Sequence, residues 1–118
     1  MDSIPRYEFH QIFRRVSYDV NLKGVFTPED IDNRLEKAAI KFREAASYTL
    51  EESERKRLFK KARAIELLIA RGFAEATIRE ALSNPYGFVS LTLRYNIEKA
   101  EEMRQAFERA RRRRLRIL

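Results

Sequence analysis

Three glycines (Gly24, Gly72, Gly87) and three prolines (Pro5, Pro28, Pro85) are all the backbone punctuation in this 118-residue chain. Glycine supplies left-handed turns and proline interrupts helices and ladders, so a chain with few of either favours long uninterrupted helices. The apolar spacing agrees. After Pro5, the residues Tyr7, Phe9, Ile12, Phe13 and Val16 give a helical stripe through about Arg15. Thr27-Pro28-Glu29-Asp30 is a helix start: a hydroxyl to cap free amides, a proline with no amide, and two acids at the positive end of the dipole. Ile31, Leu35, Ala38, Ala39, Phe42 and Ala46 then mark one face out to about Ser47. Thr49-Leu50-Glu51-Glu52 reads as a capping box for a third helix from Leu50 to Arg71, which buries Leu58, Phe59, Ala62, Ile65, Leu68 and Ile69. Gly72 supplies its left-handed stop. A short helix over Ala74 to Leu82 turns Ile78 and Leu82 inward, and Asn84-Pro85 opens a last helix that Gly87 weakens.

One stretch changes period. Val16, Tyr18, Val20 and Leu22 alternate with Ser17, Asp19, Asn21 and Lys23 until Gly24, the two-residue repeat of a half-buried strand. No second strand is offered to pair with it, so residues 16–23 read as a short strand or extended arm, paired across a dimer or packed as a loop. The fold class is therefore mainly all-α, a helical bundle in one domain. Residues 1–48 form N-terminal helices and the arm, 49–108 a core with a long last helix, and 109–118 a basic tail.

Composition narrows the chemistry. With no cysteine, disulfides, thiolate zinc sites, iron–sulfur clusters and cysteine nucleophiles are excluded, and one histidine (His10) cannot build a histidine metal cluster. The spacings show no glycine-rich phosphate loop and no metal-ligand motif, and the Glu51/Glu52 and Glu101/Glu102 pairs suit solvated helix faces. These readings point away from an enzyme and imply no cofactor. No apolar run is long enough to span a bilayer and no signal-peptide pattern opens the chain, which predicts a cytoplasmic protein without a membrane partner.

The charge is uneven. The formal net charge is +7, yet residues 1–59 hold 11 basic and 11 acidic residues, against 14 basic and 7 acidic in residues 60–118. Six arginines (Arg109, Arg111, Arg112, Arg113, Arg114, Arg116) and no acid fill the last ten positions. Such asymmetry predicts a polyanionic partner, and the guanidinium fork suits phosphate.

Residues 63–97 follow the order helix, glycine turn, short helix, brief turn, longer helix, with Gly72, Ile78, Leu82, Val89 and Leu93 at the packing positions. This stretch resembles the helix-turn-helix DNA-binding units of LuxR-like regulators and sigma factors. It departs from them at Arg79, Asn84, Pro85 and Gly87. The resemblance implies double-stranded DNA as partner and a third helix that reads the major groove through Tyr86, Ser90, Thr92, Arg94 and Asn96. Lys60, Lys61, Arg63, Arg71 and Arg79 would hold the phosphates, joined by Arg111, Arg112, Arg113 and Arg114 of the tail. LIARGFAEATIREAL, from Leu68, also resembles one repeat of the RecX family of recombination regulators, which implies binding to a recombinase filament. Leu93, Ile97, Ala100, Met103, Phe107 and Ala110 continue an apolar stripe that needs a cover, either the N-terminal helices or a second copy in a homodimer. The leading expectation is thus a small basic DNA-binding protein acting as a transcription or replication accessory factor. Its rival is a helical assembly subunit of a nucleoprotein complex that binds RNA or a recombinase.

Overall fold

The computed structural model describes residues 4–25, 27–94, 105 and 109–113. Four helices run in order: α1 (Arg6–Asp19), α2 (Pro28–Tyr48), α3 (Glu52–Ala70) and α4 (Phe73–Ser83). Residues 88–94 are also helical and are called α5 here. There is no β-strand among the described residues, so the fold is all-α.

Local chemistry sets most boundaries where the sequence places them. Thr27 is the N-cap of α2, its hydroxyl oxygen accepting from the Asp30 amide at 3.1 Å. Gly72 turns the chain between α3 and α4 with φ of 77°, and its Cα hydrogen leaves that left-handed conformation unstrained. The start of α3 differs from the capping-box expectation. Thr49 donates its hydroxyl to the Ala45 carbonyl at 2.7 Å and so closes α2, leaving Glu51 as an N-cap whose carboxylate accepts from the Ser53 hydroxyl at 2.9 Å and caps no backbone amide. A hydroxyl between two helices can serve either end, and here the unpaired carbonyls of α2 take it.

The alternating stretch is also resolved differently. Residues 16–19 complete α1, with the Val20 amide donating to Val16 O at 2.8 Å. Residues 20–25 then form an irregular link whose Val20, Leu22 and Val25 are buried in this chain's own core, while Asn21 and Lys23 face water. The two-residue period holds over residues 20–23 alone, since Tyr18, set on the apolar side by the alternation, is 90% exposed on α1; there it belongs to an extended link lying on helices, not to a strand or an arm reaching for a second copy. Arg34 pins the link by donating to the carbonyls of Asn21 (2.6 Å) and Lys23.

α2 and α3 form an antiparallel hairpin across the short connection 49–51. Small residues on the facing stripes, Ala39 and Ala46 of α2 and Ala62 of α3, are buried and let the backbones approach. Arg43 clamps the pair from outside, its Nε and Nη2 donating to the two carboxylate oxygens of Glu66 at 2.6 and 2.9 Å. Those bonds hold the Glu66 carboxyl below the usual carboxylate range. α1 lies on the other side, against α4. Phe9 and Phe13 of α1 meet Phe73 of α4 at ring-centroid distances of 5.6 and 6.3 Å, and Phe13 meets Phe88 edge-on at 5.7 Å. The buried rings of Phe9, Phe13 and Phe73 each contribute roughly 1.5–3 kcal/mol by removal from water.

Candidate nucleic-acid interface

In α5 the expected base-reading side chains part company. The 84–87 turn leads into the helix, and Tyr86 within it is 86% exposed. Ser90 is buried, its hydroxyl lying 2.7 Å from the Ala81 carbonyl and 2.6 Å from that of Asn84. It ties the open end of α4 to α5 and has no free face for a base. Thr92 is half-buried and donates to Phe88 O at 2.8 Å, whereas Arg94 is exposed. Asn96 lies outside the described residues. The outward side of α5 is largely apolar, with Phe88 and Leu91 about half exposed and the Arg14 guanidinium 5.7 Å over the Phe88 ring.

α4 is rolled relative to the helix-turn-helix expectation. Its inward residues are Phe73, Ala74, Thr77, Glu80 and Ala81, while Ile78 is half-buried and Leu82 is 76% exposed. At 100° per residue, Leu82 sits nearly opposite Thr77, the middle of the buried face. The correction has a polar cause. Thr77 satisfies itself by donating to Phe73 O at 2.8 Å. Glu80, only 8% exposed, accepts from Arg6 at 3.1 Å and lies 3.2 Å from His10 Nε2. A carboxylate with a cation waiting on α1 can be buried, and it turns the leucine two residues later to solvent. Phe59, expected inside, is likewise 40% exposed.

The basic residues expected to hold phosphates fall on separate faces. Lys60 and Arg63 stand on the outer side of α3 beside Lys56, all three exposed. Lys61 and Arg71 line a different surface, a groove of about 460 Å³ between α1 and α3, where they bridge to Asp19 (3.1 Å) and Glu8 (3.0 Å). Arg79 is exposed on α4, at a third surface shared with Arg6 and Glu80. Arg111, Arg112 and Arg113 are helical and exposed together with Arg109, and Arg114 lies outside the described residues. None of Arg109, Arg111, Arg112 or Arg113 makes an ion pair among the described residues.

Two basic residues that sequence reading passed over belong with these. Lys37 and Lys41, one helical turn apart on α2, are exposed and make no ion pair among the described residues. Their four-residue spacing was the available signal. The Arg6–His10–Glu80 cluster had no local signal, because Arg6 and Glu80 stand 74 positions apart in the chain.

Among the described residues, no group of acids and histidine could hold a metal ion, and no helix is long and apolar enough to cross a membrane. Comparison of the chain with protein-family models, curated proteins and solved structures found no match in any of the three.

Proposed function

We propose that the protein binds double-stranded DNA by gripping its phosphates, as a small accessory factor in transcription or replication. The observation that carries this reading is the run of helical, exposed arginines at 109, 111, 112 and 113, which meet no acid among the described residues. At helical spacing Arg109, Arg112 and Arg113 lie within about 100° of one another. Guanidinium groups so placed bind phosphate in pairs of parallel hydrogen bonds and release condensed counterions. Lys56, Lys60 and Arg63 add a second exposed basic strip on α3. Base reading contributes little in this view, since Ser90 is locked in the core and Phe88 and Leu91 occupy much of the outward side of α5.

The test is a salt titration of the full chain on a random-sequence duplex and on single-stranded RNA. Tight duplex binding is expected to weaken steeply with salt. Replacing Arg109, Arg112 and Arg113 with alanine should flatten the log–log slope by about 2.7, at ~0.9 for each phosphate that is no longer neutralised. Affinity should fall alike for every duplex sequence. Duplex binding no stronger than that of a scrambled basic peptide would overturn the reading, and preferential RNA binding would favour the nucleoprotein assembly subunit.

A further inference from the structure

A second groove, of about 510 Å³, opens where the end of α1 meets α2 and α3. Its size lies within the roughly 300–1,000 Å³ of ordinary binding clefts. Val20 and Leu58, both buried, floor it with Phe42, and the chain leaves it open, for Lys37, Lys41 and Ala45 along its wall are exposed. Its one acid, Asp19, is already bridged at 3.1 Å by Lys61, whose ammonium also lies 5.5 Å over the Phe42 ring. Arg34 donates to neutral groups, the carbonyls of Asn21 and Lys23. Arg34, Lys37 and Lys41 thus meet no acid among the described residues, and the open charge of the groove is positive over an apolar floor. The α1–α3 groove differs, because the Lys61–Asp19 and Arg71–Glu8 pairs already satisfy most of its charge.

The layout of these groups selects the occupant. Arg34, Ala38, Lys41, Phe42 and Ala45 follow one another along α2 at helical spacing, so the wall is a straight run of three turns, about 16–17 Å long. Arg34 and Lys41 stand about 10–11 Å apart along the helix axis, with Lys37 between them. A lipid carboxylate brings one charge and cannot meet cations spread over that length. A phosphate backbone brings many charges but no apolar face to cover Phe42 and Leu58. A helix brings both. Its apolar residues at three- and four-residue steps form one stripe, and acids one turn apart on its flank repeat at the spacing of Lys37 and Lys41.

We infer that the groove between α1, α2 and α3 receives an amphipathic helix of a partner protein, its apolar stripe on Val20, Phe42 and Leu58 and its acidic flank toward Arg34, Lys37 and Lys41. Removal of the floor from water supplies affinity, and the row of cations sets the register of the bound helix. The contact uses none of the arginines at 109–113, so it stands independently of the proposed grip on DNA.

Fluorescence anisotropy on the full chain tests this with a labelled synthetic peptide of about 16 residues, long enough to hold a helix. The peptide carries leucines at three- and four-residue steps and glutamates along one flank. The unaltered protein should bind it saturably. A scramble of the same composition, or a peptide with lysine for every glutamate, should bind roughly tenfold or more weakly. K37E/K41E should invert the preference, taking the lysine peptide over the glutamate one by a similar factor. Each substitution lowers the net charge by two, four in all, so the variant carries +3 where the unaltered protein carries +7. Binding of a cationic peptide by a chain that is still basic reports the groove and not the charge of the whole. Lys37 and Lys41 are exposed, and unchanged helical circular dichroism and melting serve as the check on folding. No saturable binding of the glutamate peptide, equal binding of its scramble, or an unchanged preference in K37E/K41E would each overturn the inference. So would a K37E/K41E protein that loses duplex affinity and keeps its peptide affinity, which would give the groove to DNA.

Discussion

Ser90 and Asp32 show how one side chain can be judged by what it leaves unsatisfied. The Ser90 hydroxyl serves carbonyls at the end of α4, so Ser90→Ala strands a buried acceptor. The expected cost is about 1–3 kcal/mol in denaturant unfolding, with duplex affinity unchanged in the folded fraction. A selective loss of DNA binding at full stability would instead restore Ser90 to the interface. Asp32 presents the opposite case, a buried carboxylate oxygen (Oδ1) with no hydrogen-bond partner among the described residues. Burial, and then the neighbouring charges of Glu75, Glu29 and Glu36, push its carboxyl above the usual carboxylate range. An acid whose folded pKa is raised costs the fold nothing below its unfolded pKa, where both states keep the proton. It costs the full amount above the folded pKa, so the penalty grows as pH rises through that window. Asp32→Asn should therefore raise the unfolding midpoint at neutral pH, and the gain should vanish in acid. A midpoint difference that is the same at both pH values would show that solvation and repulsion are not the cause.

At the scale of elements, the turn at Gly72 is the most exacting joint, since it sets the angle between the α2–α3 hairpin and α4. A Cβ there would meet Glu75 Oε2 at an ordinary 3.5 Å, so space is not the difficulty. The left-handed φ of 77° is, and Gly72→Ala should cost ~1–2 kcal/mol in equilibrium unfolding, with Gly72→Asn milder. That joint was legible in the sequence, as were the Thr27 cap and, Phe59 apart, the stripes of α2 and α3, because each depends on residues within a few positions of one another. The roll of α4 was not legible. Ile78 and Leu82 are the more apolar residues, and nothing nearby reveals that Arg6 and His10 approach Glu80 and allow it inside. The candidate interface was legible in part for the same reason. Exposed arginines at 109–113 follow from composition, but the distribution of Lys60, Lys61, Arg63, Arg71 and Arg79 over three surfaces depends on packing between distant elements. The alternation of residues 20–23 was also read correctly as inside and outside, although a period alone does not say whether a backbone has a partner strand.

Taken whole, the molecule is extended, with a radius of gyration of 18.0 Å and principal extents of 65 × 33 × 25 Å. A compact chain of this length would have a radius near 13–14 Å. The central unit is held by contacts of two ranges. The α2–α3 hairpin joins neighbours in sequence, while α1 is seated by residues far ahead of it, with Glu8 held by Arg71 and Arg6 by Glu80 at separations of 63 and 74 residues. That second range matters for a chain made from its N-terminus. At a synthesis rate of about 5–20 residues per second, α1 leaves the ribosome roughly 3–15 s before its α4 partners exist. Through that interval Phe9 and Phe13 have no Phe73 to close over, so α1 is translated before α4 and seated only after it.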